Sequence, residues 1–185
     1  MNAEPLTASI TLAGGCFWCL EAVFLRVQGV ISVESGYSNG QVARPTYEAV
    51  CQGLTGCAEV VQLRFDPQQI SLQEILEIFF LIHDPTTLNR QGHDVGTQYR
   101  SAIYHHSQDQ AEQVRAFVDR LRSEAVYDDA IVTELLPLAN YWPAEAYHQN
   151  YFARHPYQGY CQHVVAPKVE KFRRTFAHRV REGAL

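Results

Sequence analysis

The chain has 185 residues, of which 46% are hydrophobic and 19% charged, a globular composition long enough to bury a core without covalent staples. A formal charge of −5 gives no bulk attraction to nucleic acid, and no apolar run approaches the roughly 18 residues of a membrane span. Residues 1–9 lack a basic region followed by an apolar core, so a cytoplasmic address is expected. There the odd set Cys16, Cys19, Cys51, Cys57 and Cys161 reads as reduced, catalytic or metal-bound thiols, not as a disulfide framework.

In chain order, residues 9–13 form a β-like run that ends in Gly14 and Gly15. Cys16, Cys19, Leu20, Val23, Phe24 and Val27 then recur on one face of a helix, which Gly29 is expected to end. Residues 30–40 read as a strand running into a turn, and residues 58–67 as a half-buried strand stopped by Asp66 and Pro67. Ser71 and Glu74 make a capping box before the stripe Leu72, Ile75, Leu76 and Phe79. Residues 84–100 are a long polar loop, a length that in a compact domain signals function or disorder. A strand at 101–106, a helix at 108–121, a strand at 130–138 and a short helix after Pro143 follow. Lys168, Lys171, Arg173, Arg174, Arg179 and Arg181 surround Phe172, Phe176 and Val180 in a basic C-terminal helix at about 167–182, read as a charged face shown to water. The alternation of strands and helices predicts one α/β (α+β) domain over residues 1–185, with its core at about 9–165 and one sheet packed by helices.

The chemistry concentrates at "GGCFWCLEAVF", residues 14–24. Cys16 stands where a strand turns through glycines into the first turn of a helix. The N–H groups and dipole of a helix start favour the reactive thiolate; the competing reading is a small buried hydrophobe. Cys19 completes a CxxC spacing but also belongs to the apolar stripe, so both a dithiol and a core thiol remain open. No second CxxC exists and Cys51 and Cys57 are too widely spaced for a usual zinc knuckle, so no metal is expected. Cys51 reads as a core thiol, while Cys57 is ambiguous. Glu59 opens a strand beside Val60 and Val61, where an apolar setting would raise its pKa and make it a proton donor; a solvated strand end is the alternative. Phe17 and Trp18 could wall a slot for a small apolar group or could be plain core. Tyr47, Asp94 and Tyr99 lie in polar segments and could hydrogen-bond a polar atom.

Taken together, "GGCFWCLEAVF", "PTYEAVCQGLTGCAEVVQLRFDP", "HDPTTLNRQGHDVGTQYRSAIY", "YWPAEAYHQNYF" and "HPYQGYC" resemble, in order and over nearly the whole chain, the peptide methionine sulfoxide reductase A family. The resemblance implies a two-layer α/β sandwich built round a split βαβ, ferredoxin-like core. It implies that Cys16 attacks the sulfoxide sulfur of methionine S-sulfoxide, free or in proteins, while Glu59 protonates the oxygen. Tyr47 and Tyr99 would hydrogen-bond that oxygen, Asp94 would help position substrate, and Phe17 and Trp18 would hold the S-methyl group. The resulting sulfenic acid would be resolved to a disulfide by Cys161, which lies in a mobile-looking glycine and tyrosine segment, with Cys19 as second candidate. No bound cofactor is implied; thioredoxin or another dithiol would recycle a monomeric enzyme with no nucleic-acid or membrane partner. The chain departs from many members in carrying Cys19 where they have glycine and Cys57 where they have histidine, and in lacking a glycine-rich tail with two recycling cysteines. Two other functions fit the residues alone: a general dithiol–disulfide oxidoreductase using Cys16 and Cys19, and a sensor module oxidised at Cys16.

Overall fold

A computed structural model describes residues 6–184; the readings that touch residues 1–5 and 185, namely part of the leader argument and the outer ends of the domain, lie outside the described residues. The elements run β1 (Ala8–Gly14), α1 (Phe17–Phe24), β2 (Val30–Ser38), α2 (Tyr47–Cys51), β3 (Ala58–Phe65), α3 (Leu72–Ile82), β4 (Arg90–Gln91), β5 (Asp94–Val95), β6 (Ser101–His105), α4 (Gln108–Ser123), β7 (Glu134–Pro137), β8 (Tyr141–Pro143), α5 (Tyr151–Arg154) and α6 (Ala166–Thr175). The helix starts follow local chemistry. The Ser71 hydroxyl accepts the Glu74 N–H while the Glu74 carboxylate accepts the Ser71 N–H, the reciprocal cap read in the sequence. The Thr46 and Ser107 hydroxyls accept the Ala49 and Gln110 N–H groups and so cap α2 and α4 from one side.

Six strands form one mixed sheet in the order β7-β6-β1-β3-β2-β8. Every neighbouring pair is antiparallel except β6 and β7. Side chains alternate across it. Ile10, Leu12, Val61, Leu63 and Ile103 belong to a large core with residues of α1, α3, α4 and α6. The opposite parity, Ala13, Ala58, Val60, Ala102 and Tyr104, makes a small cluster covered by Leu138 and Tyr141. Phe17, Phe24, Phe79 and Phe172 are fully buried, each contributing about 1.5–3 kcal/mol of burial, so the large core lies directly beneath the turn that carries Cys16.

Several expectations are corrected. The first helix stops at Phe24, short of Val27, because Val27 pairs with Val180 in a β-bridge. The basic C-terminal helix does not run to 182: α6 ends at Thr175. Beyond it the backbone passes through a 3₁₀ turn at Ala177–Arg179 and pairs with the chain after α1, Gln28 N–H donating to the Arg179 carbonyl at 2.8 Å. The segment 84–100 is folded, holding the β4–β5 hairpin and a 3₁₀ turn at Thr97–Tyr99. The helix after Pro143 is broken into a 3₁₀ turn, Ala146–His148, and α5, because Asn150 between them is left-handed at φ 53°. Cys51 is exposed, not core; α2 is a short helix that buries only Val50.

Candidate active site

Two glycines deliver Cys16 to its place. A Cβ on Gly14 would lie 2.9 Å from the Phe79 ring and 3.2 Å from that of His83. Gly15 turns the chain at φ +89°, where its own Cβ would be 2.6 Å from the Gln91 side chain. Cys16 then stands at the N-cap of α1, and its carbonyl accepts the Cys19 N–H at 3.1 Å. The helix start does not make it a ready thiolate. Burial pushes the Cys16 thiol well above the usual range, helped by its hydrogen bond to Cys19 and by the Glu59 charge, and only the Trp18 N–H pulls it down. The desolvation of a small buried group outweighs one backbone donor.

Glu59 comes from β3, where it faces Tyr37 of β2 in register. It is 1% exposed, and its Oε2 accepts the Phe17 N–H at 3.0 Å. Burial raises its pKa to about 8 despite that bond, with Asp94 and Cys19 adding to the rise. The carboxyl therefore holds a proton at neutral pH, one residue from the thiol. The strand-end glutamate expected as an acid is thus a buried one.

Tyr99, at the end of the 3₁₀ turn, has its phenol pKa raised by burial and then by Glu59, Cys16 and Asp94, which brings it to the same centre. Tyr47, at the start of α2, is raised by burial, by a hydrogen bond to Cys51, and by Glu59 and Tyr99 among others. Both phenols stay protonated and can donate. Asp94 of β5 accepts the Tyr160 hydroxyl at 2.6 Å. Phe17 is fully buried, 5.7 Å from the Tyr37 ring and 5.0 Å from that of His148 between centroids. The Trp18 indole stacks on Tyr151 at 3.8 Å and 4°, and donates its N–H to His148 Nδ1 at 3.1 Å.

The remaining thiols divide. Cys19 is buried, yet its pKa falls to about 7, because the Cys16 thiol donates to it and this outweighs burial, with Lys168 and Tyr160 assisting against Asp94. Cys161 is also fully buried. It opens a π turn, Cys161–Val165, with its N–H on Gln158 Oε1 at 3.0 Å, so the mobile-looking segment ends in a packed helical turn. Burial raises the Cys161 thiol, and so does the charge of Cys19. All five cysteines are free thiols, and among the described residues no group of three or more His, Cys, Asp or Glu side chains is placed to hold a metal ion.

The sequence reading missed Tyr37, Glu145, His148, Tyr151 and Tyr160. Glu145 accepts the Tyr37 hydroxyl at 3.0 Å and the Tyr47 N–H at 3.3 Å. The only local signal was the density of aromatic and histidine residues between 141 and 160. A cavity of about 920 Å³ among α3, α4 and α6 includes neither Cys16 nor Glu59 among its lining residues, so it is no part of this site. The site offers a nucleophilic sulfur, a neutral buried acid, two phenol donors and an aromatic wall. That set suits a substrate with a negatively polarised oxygen beside a small apolar group.

Comparison with known proteins agrees with this chemistry. Residues 8–180 match the family model described as peptide methionine sulfoxide reductase. A peptide methionine sulfoxide reductase MsrA of Polynucleobacter asymbioticus is 55% identical over 172 residues, 93% of this chain and 90% of that protein. The solved methionine sulfoxide reductase A of Corynebacterium diphtheriae superposes with a TM-score of 0.80 at 36% identity, over 88% of this chain and 81% of that one. Mxr1 of Saccharomyces cerevisiae, solved in complex with Trx2, matches with a TM-score of 0.55 at 26% identity, over 82% of this chain and 89% of that one. The mixed α/β fold is common to them, and the chain belongs to the peptide methionine sulfoxide reductase family.

Proposed function

We propose that the family's reaction is carried in this chain by Cys16 as nucleophile and Glu59 as general acid. The enzyme reduces methionine S-sulfoxide to methionine with thiols as the electron source, and thioredoxin returns the thiols to their reduced state. The Cys16 sulfur attacks the sulfoxide sulfur while Glu59 protonates the oxygen; the thiol's own proton replaces the one Glu59 gave. The hydroxyl passes from the methionine sulfur to the Cys16 sulfur as the new S–S bond and the old S–O bond break, so methionine leaves and a sulfenic acid stays on Cys16. A second thiol displaces it as water, forming a disulfide that a dithiol reduces by exchange. Tyr47 and Tyr99 donate to the sulfoxide oxygen, Asp94 positions substrate, and Phe17 and Trp18 hold the methyl group.

The observation that carries these roles is the 3.0 Å bond from the Phe17 N–H to Glu59 Oε2. It fixes a buried carboxyl, neutral at pH 7, to the residue after the nucleophile. General-acid help of this kind is worth about 10²–10⁴ in rate. Plain dithiol–disulfide exchange has no oxygen to protonate, so sulfoxide reduction accounts better for an acid held there.

Cys161 is the proposed resolving thiol. A specific observation favours Cys19 as its rival or intermediary: it already shares a hydrogen bond with Cys16 and bears the charge that reaches Cys161. Fully reduced protein, given excess methionine S-sulfoxide without reductant, distinguishes them by peptide mass spectrometry. A Cys16–Cys161 bridge supports direct resolution, and a Cys19–Cys161 bridge supports passage through Cys19. A Cys16–Cys19 bridge as the end product removes Cys161 from the path. If no methionine forms, the assignment of Cys16 falls.

The finer architectural reading, a split βαβ of ferredoxin type, is supported by β6, β1, β3 and β2 standing adjacent in that order. A single catalytic domain, a monomer and a cytoplasmic address complete the proposal; no helix of the described residues is long and apolar enough to cross a membrane.

A further inference from the structure

The Trp18 indole is held from two sides by one segment of chain. Its edge donates to His148 Nδ1 at 3.1 Å, and its face lies on Tyr151 at 3.8 Å. The Tyr151 ring is itself set by α1: buried Glu21 accepts the Asn150 N–H at 2.7 Å, fixing the left-handed residue from which α5 starts. His148 is fully buried against Phe17 (5.0 Å), Tyr47 (4.4 Å) and Tyr147 (4.1 Å between centroids). An indole N–H can only donate, so Nδ1 must accept and the proton of the neutral ring is on Nε2. That nitrogen has no hydrogen-bond partner among the described residues and faces Glu145 Oε2 at 3.9 Å.

We propose that His148 is a positioning residue: by holding the Trp18 indole it sets the width of the slot beside Cys16, and with it the preference for methyl over larger alkyl sulfoxides. The inference rests on Phe17 and Trp18 walling the methyl site. A rigid slot rejects an added methylene by about 10- to 200-fold; an indole free to swing about its side-chain bonds does not. Charge on His148 would undo the contact, since Nδ1–H and the indole N–H would face each other as two donors. Burial holds the ring neutral, its pKa lying below 6.5 against the pull of the Glu145 and Glu48 carboxylates. The other titratable groups around it are the phenols of Tyr47 and Tyr147 and that of Tyr37 on Glu145, while Phe17 and Trp18 of α1 carry no charge.

The test compares methionine S-sulfoxide with ethionine S-sulfoxide in wild type, His148→Leu, His148→Asn and Trp18→Ala. The wild type is expected to prefer the methyl substrate at least tenfold, with a KM that climbs in acid, below the ordinary imidazole range. His148→Leu should lose most of that preference, chiefly through KM. His148→Asn, whose amide oxygen can accept near the Nδ1 position, should restore the preference and remove the acid climb. If Trp18→Ala collapses the preference while His148→Leu keeps it, the positioning role is overturned. If Trp18→Ala also leaves it unchanged, the methyl-wall reading of Trp18 falls first. Should His148→Leu fail to fold, as thermal melting would reveal, His148→Asn decides alone: a KM that still climbs in acid overturns the proposal.

Discussion

Cys16 and Cys19 occupy one turn of one helix and have opposite electrostatic settings. Cys16 looks toward β3, where Glu59 shares its buried space and raises its pKa. Cys19 looks toward Tyr160 and α6, where a phenol and the Lys168 ammonium favour its charge. The helix dipole acts on the whole turn and cannot separate two thiols three residues apart. What separates them first is burial of Cys16 and the hydrogen bond it donates to Cys19; the chain brought alongside adds to this, an acid from one side and a cation from the other. The Cys16 side keeps protons, as sulfoxide cleavage requires. The Cys19 side gives them up, which is the form a thiol would need if it took part in the proposed attack on the sulfenic acid.

The severest way to break this division is to remove each thiol in turn. Without reductant, Cys16→Ser should form no methionine. Cys19→Ser and Cys161→Ser should each form one equivalent per enzyme and then stop or slow, because only the later step is damaged. A single-turnover methionine assay reads this directly. A Cys19→Ser variant that yields none would erase the division of labour.

Glu59→Gln sharpens it by separating activity from stability. The variant should lose about 10²–10⁴ in kcat/KM at pH 7. In the wild type the donor form, and with it the rate of sulfoxide cleavage, should fall as pH rises through about 8. Stability should move the other way in the variant. A carboxyl raised from 4.5 to about 8 on folding contributes stability that is fully present below pH 4.5 and is lost as pH rises through about 8, by about 5 kcal/mol at most. Denaturant unfolding at pH 5 and pH 8 should show this decline in wild type and a flatter dependence in Glu59→Gln. Equal slopes would mean that Glu59 is already ionised in the folded protein, contrary to its role.

Much of the site was legible because its signals are local. The glycine pair, the CxxC spacing and the capping box are each contained within a few residues, and the structure keeps them. Glu59 was legible as a carboxyl among valines, though only the fold shows that it is buried. The Tyr37, Glu145 and His148 network was not legible. Its contacts join residues 108 and 130 positions apart, and each side chain alone is ordinary. The end of the basic helix was misread because Val180 and Phe172 kept a helical rhythm, while the backbone had a better partner in the chain around Val27. The setting of Cys161 was less legible for a related reason: the glycine and tyrosine around it suggest mobility, while the structure packs its thiol into the core.

The pH dependence of disulfide formation gives a smaller effect that tests the other half of the comparison. If Cys19 attacks the sulfenic acid, the rate should rise through pH 7 and level off, following its thiolate. If Cys161 attacks directly, the rate should still be climbing at pH 9, because that thiol is raised. Rapid-mixing measurements after a pulse of sulfoxide separate the two.

Lys168→Met should produce the smallest change. The ammonium acts on Cys19 as a charge, with no hydrogen bond between them, and Lys168 is partly exposed. A partly solvated charge is worth about 0.2–1 kcal/mol, or roughly 1.5- to 5-fold in rate. Removing it should shift the pH midpoint of disulfide formation upward by the same modest factor and leave single-turnover methionine formation unaltered. Raising the salt concentration on the wild type should reproduce part of the shift, since exposed charges are screened within about 10 Å at 0.1 M. If Lys168→Met slows sulfoxide cleavage instead, the ammonium serves Cys16, and the two thiols are not electrostatically separate.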